Sequence, residues 1–128
     1  MIKISVIKQT NYPVSSAQIK KKLRAYFVKN GIISPAEASV AIVGEKRMHD
    51  LTGKYLKDNK RHSVLSFTPD ENKDKFIFPP DGMIHLGDII VCYPAAVNEA
   101  QKEEKLIEVK VYELIEHAAG HLLGFHHE

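Results

Sequence analysis

With 128 residues, 44% of them hydrophobic and 27% charged, the chain can build one self-sufficient core and is too apolar for wholesale disorder. Its one cysteine, Cys92, excludes an internal disulfide or an all-cysteine zinc site and fits a reducing, cytoplasmic setting with no disulfide partner. The net charge of +2 conceals a polarity: the first thirty residues carry seven Lys or Arg and no acid, leaving eleven basic against sixteen acidic residues in the other 98.

Ile2, Ile4 and Val6 alternate with Lys3, Ser5 and Ile7, the period of a half-buried opening strand, and no charged-then-apolar leader peptide is read there. A turn at Asn11-Tyr12-Pro13 leads to Ser15 or Ser16 as helix N-cap. Ile19, Leu23, Tyr26 and Phe27 then recur at helical spacing, with Lys20, Lys21, Lys22 and Arg24 on the other faces, until Asn30-Gly31 stops the helix. Such a basic face is either a footprint for a polyanion such as RNA or a solvated surface.

After Pro35, Ala38–Val43 reads as a strand ended by Gly44, and Glu45 to Leu56 as a helix with Met48, Leu51 and Tyr55 on one side. A polar loop over Lys57–His62 precedes a short buried strand, Val64–Phe67. Residues 68–83, with Pro69, Pro79-Pro80 and Asp81-Gly82, carry the signals of a turn or hairpin insert. Ile84–Val91 reads as a strand broken by Gly87-Asp88. Pro94 opens a helical region through Leu123, one helix or two in series, closed by Gly124. The longest apolar runs, such as 89–93, fall far short of the ~20 residues of a membrane span, so no membrane partner is expected. The order β-α-β-α-β-β-α predicts a single α+β domain over residues 1–128.

Four of the seven histidines fall in the last twelve residues. His117 and His121 are four apart on a predicted helix, so both imidazoles reach one point in space. Gly124 lets the chain turn back there, which offers His126 or His127 as a third donor. Three imidazoles and an open fourth position are the layout of a catalytic zinc site, with nickel, iron and copper also served by that ligand set. A protease of the His-Glu-x-x-His kind is disfavoured, because Ala118 stands where its base would be, and Glu116 points about 100° away.

These residues resemble the YbeY family of rRNA maturation factors. His117-Ala-Ala-Gly-His121-Leu-Leu-Gly124-Phe125-His126-His127 is similar to the family's His-Gly-x-x-His-Leu-x-Gly-Tyr-Asp-His; Val64–Phe67 resembles its Asp-Val-Leu-Ser-Phe strand, and Leu86–Ile89 its Leu-Gly-Asp-Ile strand. Leu51 to Tyr55 resembles its Leu-Asn-x-x-Tyr helix end. The resemblance implies an α+β fold with a mixed sheet and a metal-binding C-terminal helix. It implies one Zn2+ or other divalent ion per chain on His117, His121 and His127, with His126 as the alternative ligand. It further implies a metal-dependent, single-strand-specific endoribonuclease. Its partners would be 16S rRNA, matured at the 3′ end, and the small ribosomal subunit, with a part in ribosome quality control.

Several positions depart from the family pattern, among them the Thr-Asp before its Val-Leu-Ser-Phe, which is His62-Ser63 here. The arginine that follows its Tyr is Leu56 here, which leaves Lys57 and Arg61 as candidates for the missing positive charge. The aspartate before its last ligand is His126. The basic run Lys54, Lys57, Lys60 and Arg61 leads into the Ser66 strand, and with Lys20, Lys21, Lys22 and Arg24 it forms the expected RNA-backbone surface. Where catalysis is weak or lost, the alternative is a ribosome- or RNA-associated metal-binding protein. Cys92 reads as a small buried hydrophobe, His49 and His85 as surface or core residues, and Asp88 as a turn residue or a partner holding a ligand histidine.

Overall fold

Ile2–Lys8 forms the first strand, β1, burying Ile2 and Ile4 and exposing Lys3 and Ser5 as a period of two requires. The computed structural model describes residues 1–57, 61–69 and 82–125; most of the expected turn insert, including Pro79-Pro80-Asp81, lies outside the described residues. Helix α1 (Ser16–Lys29) starts on Ser15, whose hydroxyl accepts from the Gln18 N–H at 3.1 Å. One apolar stripe, Ile19, Leu23 and Phe27, is fully buried, each side chain contributing about 1.5–3 kcal/mol.

Strand β2 (Ala36–Val43) begins two residues before the apolar pattern does, because Ala36 and Glu37 are paired with β1 on one side and with the strand Ile84–Cys92 on the other. After α2 (Glu45–Tyr55) come β3 (Val64–Phe67) and β4 (Ile84–Cys92). The sheet order is β1-β2-β4-β3; β1, β2 and β4 are parallel, and β3 runs antiparallel to β4. The sheet is therefore mixed, with short β3 at one edge.

Strand β4 is continuous, not broken at Gly87-Asp88. Glu37 faces His85 while Ala38 faces Gly87, so Leu86 is an extra residue and the interruption is a bulge inside a paired ladder. Gly87 takes φ +135°, and a Cβ there would stand 2.3 Å from the Phe67 carbonyl oxygen and 2.8 Å from Leu122 Cδ2. Only glycine fits that contact between β4, β3 and the last helix.

The C-terminal helical region is two helices, α3 (Tyr93–Glu103) and α4 (Ile107–Leu122), so the element order ends β-β-α-α. Glu104 makes the break in a left-handed conformation, φ 56°. Lys105 Nζ donates to Glu113 and Lys110 Nζ to Glu103, both at 2.9 Å, and hydrogen bonds from Lys110 and Lys105 hold the Glu103 carboxyl below the usual carboxylate range.

Two apolar clusters share the sheet. The larger joins α1 and α4 to one face through Ala38, Val40, Ile42, Ile89 and Val91; the smaller joins α2 to the other through Val43, Met48, Leu51, Leu65 and Phe67. Among the described residues no helix is long and apolar enough to cross a membrane.

Candidate active site

Helix α4 buries Val111, Leu114, Ile115, Ala118 and Leu122 against the sheet. That stripe fixes the helix rotation, and rotation places His117 and His121 at its flank, beside β3. Their ring centroids are 4.5 Å apart with the planes at 61°. Together with Val64, Leu65, Ser66 and Ala118 they line a cleft of about 210 Å³. The period of two along β3 sends Val64 and Ser66 to this face and Leu65 and Phe67 into the α2 cluster. Small Ala118 leaves space beside the imidazoles, and apolar Val64 and Leu65 with Ser66 complete the wall.

The end of α4 is built for a reversal. Gly124, at φ +90°, donates its N–H to the His121 carbonyl at 3.0 Å, and the Phe125 N–H reaches the Gly120 carbonyl at 2.8 Å. A Cβ on Gly120 would meet Tyr26 Oη at 3.1 Å, so α1 closes on the helix just before the second histidine. His126 and His127 lie outside the described residues. Among the described residues no three His, Cys, Asp or Glu side chains form a metal-holding group. The described pair fits a borderline cation as two of its nitrogen donors: one turn apart, on one face, with His117 exposed and His121 half-buried.

The candidate basic residues are spread over the molecule. Arg61 donates to Glu45 across 2.5 Å, in a groove shared with His49, His62 and Cys92 on the α2 side of the sheet. Leu56 caps α2 and is 43% exposed, and Lys57 follows it at φ 55° with its N–H on the Thr52 carbonyl. Leu56, Lys57 and Arg61 are not among the residues that line the histidine cleft. Lys54 Nζ stands 5.2 Å from the Tyr55 ring centroid, and Lys60 lies outside the described residues. On α1, Lys22 stands over the Tyr112 ring at 5.1 Å and Arg24 Nε donates to the Ile2 carbonyl at 3.0 Å. Those two residues fasten α1 to α4 and β1, whereas Lys21 is exposed and Lys20 half-buried.

Asp88 accepts from the Ser39 hydroxyl at 2.5 Å, and His85 contacts Glu37; both are cross-strand neighbours of β2 and β4. Cys92 is 2% exposed and burial pushes its thiol up, so it is the inert core residue its neighbours in the sequence suggested. The ring of Tyr55, on the same side of α2 as Met48 and Leu51 as the spacing predicts, lies half-exposed against Phe67.

A sequence profile described as Endoribonuclease YbeY matches residues 5–128. The chain belongs to the YbeY endoribonuclease family. It is 30% identical over 112 residues to the endoribonuclease YbeY of Acinetobacter baumannii, covering 88% of this chain and 70% of that protein. Against the endoribonuclease YbeY of Dehalococcoides mccartyi it is 32% identical over an alignment of 132 residues, covering 96% and 82%. The solution structure of TM1509 from Thermotoga maritima matches with a TM-score of 0.58 at 19% identity, over 98% of this chain and 75% of that one, which makes the fold common to both. The segments that resemble YbeY sequences are neighbours in space: β3 and α4 line one cleft, and Gly87 of β4 is wedged between Phe67 and Leu122.

Proposed function

We propose that this YbeY-family chain is a metal-dependent endoribonuclease that cleaves single-stranded RNA, acting in 16S rRNA 3′-end maturation and ribosome quality control on the small ribosomal subunit. The observation that carries the reading is the pair His117 and His121, one turn apart over a cleft walled by the edge strand β3. These two imidazoles, with His127 or alternatively His126 as the third, would hold a divalent cation, zinc before others. Such an ion, when bound, supplies Lewis acidity toward a phosphoryl oxygen and acidifies a water. The chain's own contribution is placement. Ser66 offers a hydroxyl donor at the cleft wall, and Lys54 and Lys57 offer cations to the RNA backbone near the end of α2.

A second reading has its own support: an RNA- or ribosome-associated metal-binding protein with weak catalysis. Leu56 cannot neutralise charge on a phosphate, and the Arg61 guanidinium is already engaged by Glu45. Untagged protein assayed on labelled single-stranded and duplex RNA, with and without chelator, separates the readings. Chelator-sensitive cleavage of the single strand supports the nuclease. Binding without cleavage favours the second reading, and neither binding nor cleavage defeats both.

A further inference from the structure

Tyr55 ends α2, one turn beyond Leu51 and Thr52 on the same buried stripe, at the point where that stripe runs out of core to cover. Its ring meets the Phe67 ring at 5.1 Å and 56°, and Lys54 Nζ stands over it at 5.2 Å. Even so, 45% of the residue is exposed. Phe67 belongs to β3, whose opposite face, at Val64 and Ser66, walls the histidine cleft. The edge strand thus has two imidazoles on one face and a braced, exposed aromatic on the other.

We infer that Tyr55 is a base-stacking platform: an unpaired base of the substrate lies on its ring while the backbone passes the edge of β3 toward the histidine cleft. The inference rests on the proposed action on single-stranded RNA and gives it a structural basis. Stacking needs an exposed π-face held in one orientation, and Phe67 holds this one, so little conformational freedom is lost on binding. Lys54, a cation on a long stem, covers the ring without RNA and moves to the neighbouring phosphate with it. Bases inside a duplex are already stacked on each other and cannot use the platform.

The full-length protein is titrated with a hydrolysis-resistant single-stranded RNA analogue, and with an abasic strand of the same length. Tyr55→Leu keeps an apolar contact to Phe67 and removes the π-face. It should weaken binding to the base-bearing strand by about five- to 150-fold and leave the abasic strand unchanged, while Tyr55→Phe stays within about twofold. The chain has no tryptophan, so Tyr55→Trp introduces a single indole, whose fluorescence the base-bearing strand should quench and the abasic strand should not. That reporter decides the matter if Tyr55→Leu fails to fold. Equal affinity of Tyr55→Leu and wild type, an equal loss on the abasic strand, or an unquenched indole overturns the platform while leaving the nuclease proposal intact. Tyr55-dependent binding without cleavage keeps the platform and defeats the nuclease; no binding by the wild type defeats both.

Discussion

Arg61 Nη2 lies 2.5 Å from Glu45 Oε2, which ties the segment before β3 to the first turn of α2. Both side chains are exposed, so the pair contributes at most about 1 kcal/mol, but it fixes where the guanidinium sits. That place is the groove beside Cys92, on the α2 side of the sheet. Arg61→Ala should therefore cost under about 1 kcal/mol in a thermal melt and leave RNA cleavage within about twofold. A tenfold loss of rate with an unchanged melt would assign the residue to the reaction instead.

Leu56 is exposed at the end of α2, so a longer side chain meets no packing barrier. It does not line the histidine cleft, so Leu56→Arg tests whether a guanidinium at the end of α2 reaches it. A rise in kcat with little change in KM means that it does, because charge on the phosphate grows mainly in the transition state, and an unchanged kcat means that it does not. Lys57→Ala tests whether the lysine partly supplies that charge: steady-state kinetics would show a further fall in kcat.

Much of this was legible in the sequence, and the exceptions share a cause. The α1 stripe and its Ser15 cap, the Gly124 reversal and the His117–His121 spacing are local, so a few neighbouring residues specify them. The early start of β2, the bulge at Gly87 and the edge position of β3 are set by pairing between segments far apart in the chain, which periodicity does not report. The α3–α4 break falls at Glu104, where no glycine or proline announces it. The partners of Lys22, Arg24 and Arg61 were hidden for the same reason: each lies on another element.

Metal content of untagged protein should be about one divalent ion per chain, most of it zinc, by elemental analysis. His117→Ala and His121→Ala should each remove most of it. Because neither residue belongs to the buried stripe of α4, the variants should keep their far-ultraviolet spectra. Stoichiometric metal in the double variant would sink the assignment.

RNA affinity should fall steeply with salt as phosphate contacts release counterions. Lys20→Glu with Lys21→Glu reads the α1 face without disturbing the fold, whereas Arg24→Glu also breaks the bond to the Ile2 carbonyl, worth about 1 kcal/mol. If α1 carries the footprint, the Lys20/Lys21 pair lowers the salt slope by about one per lost contact. If only Lys54→Glu and Lys57→Glu do so, the binding surface is the end of α2.

Gly87→Ala should destabilise the chain by at least about 2 kcal/mol, measured by denaturant unfolding. Its methyl would collide with the Phe67 carbonyl, a backbone atom that cannot rotate away, at a φ that side chains rarely adopt.

The two apolar clusters set an order of failure under heat. Val64 of β3 packs against the larger cluster, but Leu65 and Phe67 depend on the smaller one, as does α2. Elements resting on few buried residues open locally at a lower free energy than the whole domain does. The histidines ride on the robust layer, while the wall opposite them rides on the weaker one. Met48, Leu51 and Phe67 thus mark the weak point on heating, and the cleft would lose its β3 wall while most of the sheet and helix α4 were still folded.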